Sequence, residues 1–374
     1  MMKHHAKNER IKRKYFIYLA EAKRLSEKSI DNAVTAIAAF ERSTNKRDFA
    51  AFHIEQAKKF KRELNEEINS NTGKPLAKAT IRTRLNDVKA FFHWLAGQAG
   101  YKSKISYSDC EYFNQLGNDT RIALATREKP VPSLEQIRHV LASMPRDTII
   151  QKRDHALLAF TLLSGMRDDA IASLNISHVD LEKRRIYQDA NTVRTKFRKT
   201  HNSTFFPVGD DIEAIVVEWI DTLKTEFLYS DGDPLFPKTM IGLDENYQFA
   251  ATGLTHDHWA DASAIRKIFK QSFEAAGLPY FNPHSFRDTL ARLGRQLCQT
   301  PEEFKAWSQN LSHEKVMTTF MSYGKVEGHR QHEIMEVVGK QNTAKQNGEP
   351  DAQTIAAVVQ HLTKQANTDK KGAV

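Results

Sequence analysis

Residues 282–323 read NPHSFRDTLARLGRQLCQTPEEFKAWSQNLSHEKVMTTFMSY, and this stretch decides how the whole chain is interpreted. Its opening Asn-Pro pair is typical of a helix start, because asparagine caps helices and proline suits the first helical position. Four side chains in it could surround one phosphate group: His284, Arg287, His313 and Tyr323. The spacing of His284 and Arg287 predicts that both lie on one helix face. A forked guanidinium beside an imidazole suits phosphate oxygens, whereas each residue alone fits an ordinary surface position.

Composition favours a nucleic-acid-binding protein over a membrane protein. The 374 residues suffice for two or three domains, each with its own core. Lys and Arg number 55 and Asp and Glu 46, which gives a net charge of +9 and a pI near 9.3. This charge fits a polyanionic partner, and no long apolar run or signal-like segment indicates a membrane. Two isolated cysteines, Cys110 and Cys298, indicate neither disulfides nor a thiolate zinc site, so we expect a protein of the reducing cytoplasm.

The first third of the chain is typical of a small helical bundle. We predict a loose basic arm over residues 1–13 and a helical DNA-binding domain over residues 14–105. The clearest helix spans residues 80–99, where apolar residues recur every three or four positions. Four basic side chains lie largely off this apolar stripe: Lys78, Arg82, Arg84 and Lys89. They form either a solvated basic face or a surface that grips the DNA backbone.

A second domain is predicted to begin at Ser133, after a linker over residues 106–132. Ser133 and Gln136 have the spacing of a capping box. The apolar helix that follows ends at Gly165, a residue type typical of helix C-termini. Arg167 then opens another helix, with two aspartates in the favourable first turn. An arginine at so tight a junction suits a transition-state clamp, although a surface ion pair with those aspartates explains it equally well.

A basic segment lies between two predicted strands, residues 185–188 and 204–208. Its cations are Arg194, Lys196, Arg198 and Lys199. Like charges at this density repel one another unless an anion is near, which adds to the signal for phosphate binding. The triplet His-Asp-His at residues 256–258 is weak support for a metal site, because two histidines in a polar loop are insufficient.

Five short motifs, in this order, resemble those of the tyrosine recombinases, the phage-integrase type of site-specific DNA recombinase. SGMR, ending at Arg167, is similar to the first arginine box of the family, and KTHNSTFFPV, beginning at Lys199, is similar to its hairpin lysine motif. HSFR at residues 284–287 matches the H-x-x-R of the family, and LSHEKVMTT resembles its LGH box. Tyr323 stands where the nucleophile belongs. The resemblance extends over residues 133–338.

The resemblance implies a mainly α fold with a small β-sheet. A helical core-binding domain would precede a mixed α/β catalytic domain over residues 133–340. Residues 341–374 would form a tail, and its short amphipathic helix would either dock on a neighbouring subunit or pack on its own domain. The implied partners are double-stranded DNA, further copies of the chain in a tetramer on that DNA, and an accessory DNA-bending or directionality factor. No membrane, metal or other cofactor is implied.

The resemblance also implies a mechanism. The Tyr323 oxygen would attack a DNA phosphodiester, leaving a 3′-phosphotyrosyl link and a free 5′-hydroxyl. The two motif arginines would stabilise the equatorial oxygens of the phosphorane, and Lys199 would protonate the leaving oxygen. His284 would assist deprotonation of the tyrosine, and His313 would hydrogen-bond the phosphate.

Two departures from the family pattern concern side chains that support catalysis. Ala170 stands where the family usually has an acidic residue, three positions after the first arginine, so Asp168 or Asp169 would have to support that arginine. Lys196 competes with Lys199 for the role of the hairpin lysine. The distance to the following proline favours Lys199.

Two further departures lie near the predicted nucleophile. Ser312 replaces the glycine of the LGH box, and Tyr323 lies one residue later than the spacing of the family requires. Two other classes of function remain open. One is an enzyme with the same catalytic set, such as a type IB topoisomerase or a telomere resolvase. The other is a DNA-binding protein that keeps the fold without the chemistry.

Overall fold

The computed structural model describes residues 5–70, 72–115, 117–124, 130–243, 247–313, 331–333 and 335–336. Over these ranges the chain is mainly helical, with a three-stranded and a two-stranded antiparallel sheet, which confirms the predicted fold class. The chain divides into two compact units, Met1–Thr126 and Arg127–Val374. None of the described helices is long and apolar enough to cross a membrane.

The first unit is a helical bundle with an aromatic core. Its helices are α1 (Ala6–Glu21), α2 (Glu27–Ser43), α3 (Ile54–Glu66), α4 (Lys78–Ala96), α5 (Tyr107–Cys110) and α6 (Gly117–Leu124). The apolar stripe predicted for the fourth helix is buried as expected. Around it pack the rings of Phe40, Phe49, Phe52 and Phe113, and the Phe52 and Phe92 centroids lie 4.3 Å apart. Burial of these rings stabilises the unit.

The prediction of a loose arm over residues 1–13 is wrong for the part that the structure describes. Helix α1 begins at Ala6, and Ile11 is buried in the core of the first unit. Asn8 is fully buried, and its amide donates to the Glu41 carboxylate at 3.0 Å and to the Arg47 carbonyl at 2.9 Å. Lysines and arginines separate these buried residues along the sequence, so the helical pattern is hard to recognise there.

The predicted linker over residues 106–132 is also wrong for most of its length. Helices α5 and α6 lie in it, with a short 3₁₀ helix, Glu111–Phe113, between them. Cys110 and Phe113 are buried in the aromatic core of the first unit. Because these elements are only three to eight residues long, their periodicity is too short to be recognised from sequence.

The second unit surrounds a buried central helix, α8. Its helices are α7 (Leu134–Ser143), α8 (Ile149–Ser164), α9 (Asp168–Ile171), α10 (Asp210–Thr225), α11 (Ser263–Ala275), α12 (Ser285–Leu297) and α13 (Pro301–Asn310). The predicted capping box at the start of α7 is present, with Ser133 and Gln136 bonded reciprocally. Residues 155–164 of α8 are all buried, because neighbouring helices cover every face of this segment.

The three-stranded sheet runs in the order β1 (Val179–Asp180), β2 (Arg185–Gln188), β3 (His201–Thr204), so β3 is an edge strand. The prediction of β2 is confirmed. The predicted strand over residues 204–208 is wrong, because pairing with β2 ends at Thr204. The Phe206 N–H instead bonds to the Leu163 carbonyl at 2.8 Å, and proline at 207 has no N–H to donate to a sheet.

A second hairpin, β4 (Thr239–Leu243) and β5 (Phe249–Leu254), follows α10 and has no counterpart in the sequence prediction. The histidines after it make hydrogen bonds within the unit. His256 Nδ1 lies 2.9 Å from Asp233 Oδ1, and His258 Nε2 lies 2.7 Å from Asn175 Oδ1. Across the described ranges, no group of three or more His, Cys, Asp or Glu side chains could hold a metal ion.

Candidate active site

Gly165 creates the turn that presents Arg167. Helix α8 ends at Ser164, and Gly165 follows with φ of 58° in the left-handed region. A Cβ at this position would lie 2.9–3.0 Å from side-chain atoms of Phe206, Leu290 and Leu311. Only glycine suits both the left-handed backbone and this close packing. The chain then turns at once into α9, with Arg167 as its N-cap residue.

Arg287 lies in the first turn of α12 and is 3% exposed. Its guanidinium donates to the backbone carbonyls of Gly165 and Leu311, and to His313 Nε2 at 3.1 Å. Because an arginine only donates, His313 must accept through Nε2 and carries its proton on Nδ1. One side chain therefore joins the Arg167 turn, helix α12 and the His313 segment.

The two motif arginines give the site an excess of positive charge. Burial, together with the charge of Arg167, lowers the pKa of Arg287 to about 9, although the Asp288 carboxylate opposes this shift, and Arg287 remains protonated at neutral pH. Burial also lowers the pKa of Arg167, which forms no ion pair with any residue that the structure describes. The Arg287 Nε–H is buried and has no hydrogen-bond partner in the described ranges. Burying two like charges close together is unfavourable, so the site suits a small anion.

A Schellman motif at the end of α13 fixes the backbone of His313. The Ser312 N–H bonds to the Gln309 carbonyl at 2.7 Å, and the His313 N–H bonds to the Ser308 carbonyl at 3.1 Å. Ser312 has φ of 56°, the left-handed conformation that this motif requires after the helix and that glycine adopts most easily. The serine that replaces the family glycine therefore occupies the strained position of a helix cap.

His313 lies within the electrostatic field of four predicted site residues. Burial lowers its pKa to about 4, and the charges of Arg287, Arg167, His284 and Lys196 add to this effect. The ring is therefore neutral near pH 7 in the absence of an anion. These residues come together although they span more than a hundred positions of sequence.

His284 and the two lysines lie at the surface of this cluster. Helix α12 begins at Ser285, later than predicted from the Asn-Pro pair, and His284 is its exposed N-cap residue. Asn282 still acts as a cap, since its side-chain oxygen accepts from the Ser285 N–H at 3.1 Å. Lys196 lies in a short 3₁₀ helix, Lys196–Arg198, and Lys199 follows it; both are exposed. Lys196 is among the groups that lower the His313 pKa.

His201 also belongs to this cluster, although its sequence context does not mark it as a site residue. It is half-buried at the start of β3, and its Nε2 lies 3.4 Å from the Asn310 carbonyl oxygen. Burial lowers its pKa, the Asn310 contact opposes this, and the charges of Arg287 and Arg167 lower it further. Its only signal in the sequence is its place two residues after Lys199 in the basic segment.

The aspartates after Arg167 do not support it directly, contrary to the role expected of them. Asp168 pairs with Arg266 of α11 at 2.7 Å, and Asp169 pairs with Arg194 at 3.1 Å. Ala170, at the usual acidic position, is buried. The carboxylates therefore hold α9, and with it Arg167, against α11 and the basic segment.

Arg194 was predicted to contact DNA but is engaged within the protein. Its Nε donates to Asp169, its NH2 group donates to the Trp259 carbonyl at 3.0 Å, and its backbone N–H donates to Ser173 Oγ at 2.9 Å. Arg198 is exposed in the 3₁₀ helix. The two residues predicted together thus occupy different environments.

Three of the four basic residues predicted to bind DNA through α4 are paired with carboxylates of the first unit. The pairs are Lys78–Asp119 at 3.2 Å, Arg84–Glu67 at 2.8 Å and Lys89–Glu111 at 2.7 Å. Arg82 is half-buried and has no ion pair within the described part of the chain. Arg82 therefore has the most available charge of the four.

Tyr323 lies outside the described residues. So does the whole tail over residues 341–374. The predictions for these segments remain predictions from sequence.

Known structures share the fold of this chain. A lambda integrase dimer bound to a COC′ core site has a TM-score of 0.56 at 12% identity, over 86% of this chain and 99% of that one. The Tn1549 transposon integrase in complex with transposon right end DNA has a TM-score of 0.55 at 14% identity, over 88% and 99%. A lambda integrase tetramer bound to a Holliday junction has a TM-score of 0.56 at 12% identity, over 85% and 80%.

Sequence comparison gives the family. No curated protein matches the chain. The model of the phage integrase family matches residues 133–330, which is more than half of the chain and includes every motif quoted above from Arg167 to Tyr323. The chain therefore belongs to the phage integrase family.

Proposed function

We propose that this protein cuts and rejoins DNA at specific sites through a 3′-phosphotyrosyl intermediate, and so integrates, excises or recombines DNA. The observation that carries the proposal is the buried Arg287, bonded to the Arg167 turn and to a neutral His313, in a site with excess positive charge. Such a site is complementary to one phosphodiester whose negative charge increases in the transition state.

The chain supplies a residue for each step of the exchange. The Tyr323 oxygen forms a bond to phosphorus while the bond from phosphorus to the 5′-oxygen breaks. A lysine of the basic segment, Lys199 or Lys196, gives a proton to that leaving oxygen, and His284 assists removal of the tyrosine proton. Arg167 and Arg287 hold the non-bridging oxygens, and the hydrogen bond of His313 to the phosphate supports them. A 5′-hydroxyl from a partner strand reverses the reaction, so one phosphodiester replaces another without ATP.

The phenol needs this positive surrounding. An ordinary tyrosine has a pKa near 10 and is a weak nucleophile at neutral pH. Two guanidinium groups beside the bound phosphate favour the phenolate and so raise its reactivity. The chemistry requires no electron transfer.

We also propose that the chain acts on double-stranded DNA as a homo-oligomer, with a tetramer as the complete assembly. The net charge of +9 fits a DNA partner. Solved structures with the same fold include a dimer on a core site and a tetramer on a Holliday junction. We further propose that an accessory protein bends the DNA or sets the direction of the reaction.

A covalent trapping experiment tests the function. A pool of nicked duplexes with random sequence, labelled on the cleaved strand, is incubated with protein, and slow-migrating adducts are recovered from a denaturing gel and amplified. Wild type should enrich a DNA site and form an adduct with it. Tyr323→Phe removes one oxygen and hardly changes volume, so it should bind the same site and form none.

The other outcomes separate the remaining classes. An adduct that persists in Tyr323→Phe would assign the nucleophile to another residue. DNA binding by wild type without any adduct would indicate a DNA-binding protein without catalysis. Adducts that religate only their own strand, without exchange between two sites, would indicate topoisomerase-like activity.

A further inference from the structure

Asn310, the last residue of α13, makes an unusual contact with the edge of the three-stranded sheet. Its side-chain oxygen accepts from the Thr204 N–H at 2.7 Å, and its side-chain nitrogen donates to the Thr204 carbonyl at 2.8 Å. A carboxamide has one donor and one acceptor in the arrangement of a peptide group. Asn310 therefore occupies the place of the next strand along the outer edge of β3.

The two ends of this contact belong to different parts of the proposed active site. Thr204 ends the strand that follows the lysine-bearing connection over residues 189–200. Asn310 immediately precedes the Schellman turn that carries His313, and the next residue, Leu311, accepts from Arg287. The Asn310 carbonyl also lies 3.4 Å from His201 Nε2. One side chain thus joins the lysine segment to the histidine and arginine that hold the phosphate.

The core does not need an asparagine here. Asn310 is only half-buried, and the apolar contacts of the turn come from its neighbour Leu311, which is fully buried. The Thr204 backbone groups are at an exposed sheet edge, where water can satisfy them. The contact therefore adds little to the free energy of unfolding. Its main effect is to fix the register between the two segments.

We propose that Asn310 is a positioning residue: it holds the lysine segment in register with His313 and Arg287, so that the lysine reaches the leaving 5′-oxygen. This inference rests on the proposed function. In the step concerned, the lysine ammonium gives its proton to the 5′-oxygen as the bond from that oxygen to phosphorus breaks. A lysine displaced by even about 1 Å transfers that proton far less effectively.

A change of leaving group tests this role. The substrate is the duplex that wild type enriches by covalent trapping, made either with the natural 5′-oxygen or with sulfur in its place at the scissile bond. The sulfur leaves as a thiolate and needs no proton. Asn310→Asp removes the donor to Thr204 and places a carboxylate against its carbonyl, whereas Asn310→Ala removes both bonds. Glu302→Gln, an exposed change in the first turn of the same helix, is the matched control.

The expected result is a selective defect. Both Asn310 variants should cleave the oxygen substrate roughly tenfold to a hundredfold more slowly, a smaller loss than removal of the general acid itself, which costs about 10²–10⁴-fold. On the sulfur substrate they should cleave within about threefold of wild type, and the control should match wild type on both. Equal slowing on both substrates, or no slowing on either, would overturn the proposal.

A second measurement does not depend on DNA. Amide hydrogen exchange of the peptide that contains Thr204 should be faster in Asn310→Ala than in wild type or Glu302→Gln. Unchanged exchange would also refute the role of Asn310. Failure of the proposed function looks different, since wild type would then form no adduct with either substrate.

Discussion

Ser312 has a backbone conformation that favours glycine. Its φ of 56° puts it in the left-handed region, at the position of the Schellman motif where glycine is commonest. A left-handed residue with a side chain costs about 1–2 kcal/mol, whereas glycine loses more chain entropy on folding, about 0.5–1 kcal/mol. The strain is therefore larger than the entropy that serine saves.

We expect Ser312→Gly to stabilise the protein by about 1 kcal/mol or less, which corresponds to a rise in Tm of up to about 2–4 °C. Gly165→Ala is the matched opposite change, because that residue has φ of 58° and no room for a Cβ. It should lower Tm by several degrees. Thermal unfolding followed by circular dichroism measures both, and a lower Tm for Ser312→Gly would mean that the serine hydroxyl outweighs the backbone strain.

At the scale of elements, sequence predicts what is local and misses what depends on a distant partner. The capping box at Ser133, the left-handed end of α8 at Gly165 and the alternation in β2 are each written within a few residues. Helix α1 includes the buried Asn8, whose partner Glu41 lies in another helix. Charge counting could not show such pairings, so the basic face of α4 was predicted without the carboxylates that neutralise most of it.

The candidate site shows the same contrast between what local sequence predicts and what depends on distant partners. The motif positions of Arg167, His284, Arg287 and His313 are recognisable from sequence, and the structure brings them within electrostatic reach of one another. That Asp168 and Asp169 would turn away from Arg167, toward Arg266 and Arg194, could not be predicted. The ion-pair partners of the two aspartates depend on where α11 and the basic segment lie, and no local sequence pattern predicts those positions.

The basic segment between β2 and β3 offers a matched pair of variants, since Lys196 and Lys199 are both exposed and three positions apart. Spacing along the sequence favours Lys199 as general acid. We expect Lys199→Ala to slow cleavage of ordinary DNA by about 10²–10⁴-fold, with restored cleavage when sulfur replaces the 5′-oxygen. Lys196→Ala should weaken binding in a salt-dependent way without selective rescue. Rescue of Lys196→Ala alone would move the role to Lys196.

At the scale of the whole molecule, the two units differ in how far carboxylates neutralise their positive charge. Much of the charge on α4 is paired with carboxylates in the first unit. In the second unit, burial lowers the pKa values of Arg287 and Arg167, and the charge of Arg167 lowers that of Arg287 further. DNA binding should therefore relieve repulsion within the protein as well as release counterions.

Because a bound phosphate reduces the repulsion in the site, we expect DNA binding to be accompanied by proton uptake. In the free protein, burial and the arginine charges hold the pKa of His313 near 4 and that of His201 below its ordinary value of 6.5. A phosphodiester in the site adds negative charge, which raises both pKa values, so the complex holds more protons than the free protein between the two sets of values. Affinity should therefore rise as the pH falls toward the free-protein pKa of His313, about 4, by up to about tenfold per pH unit for each proton taken up. Fluorescence anisotropy of a labelled duplex at constant ionic strength measures this slope.

His313→Gln should flatten the dependence of affinity on pH, and His139→Gln, an exposed change on α7, should leave it unaltered. A slope that is the same in wild type and His313→Gln would show that the phosphate does not bind beside this histidine.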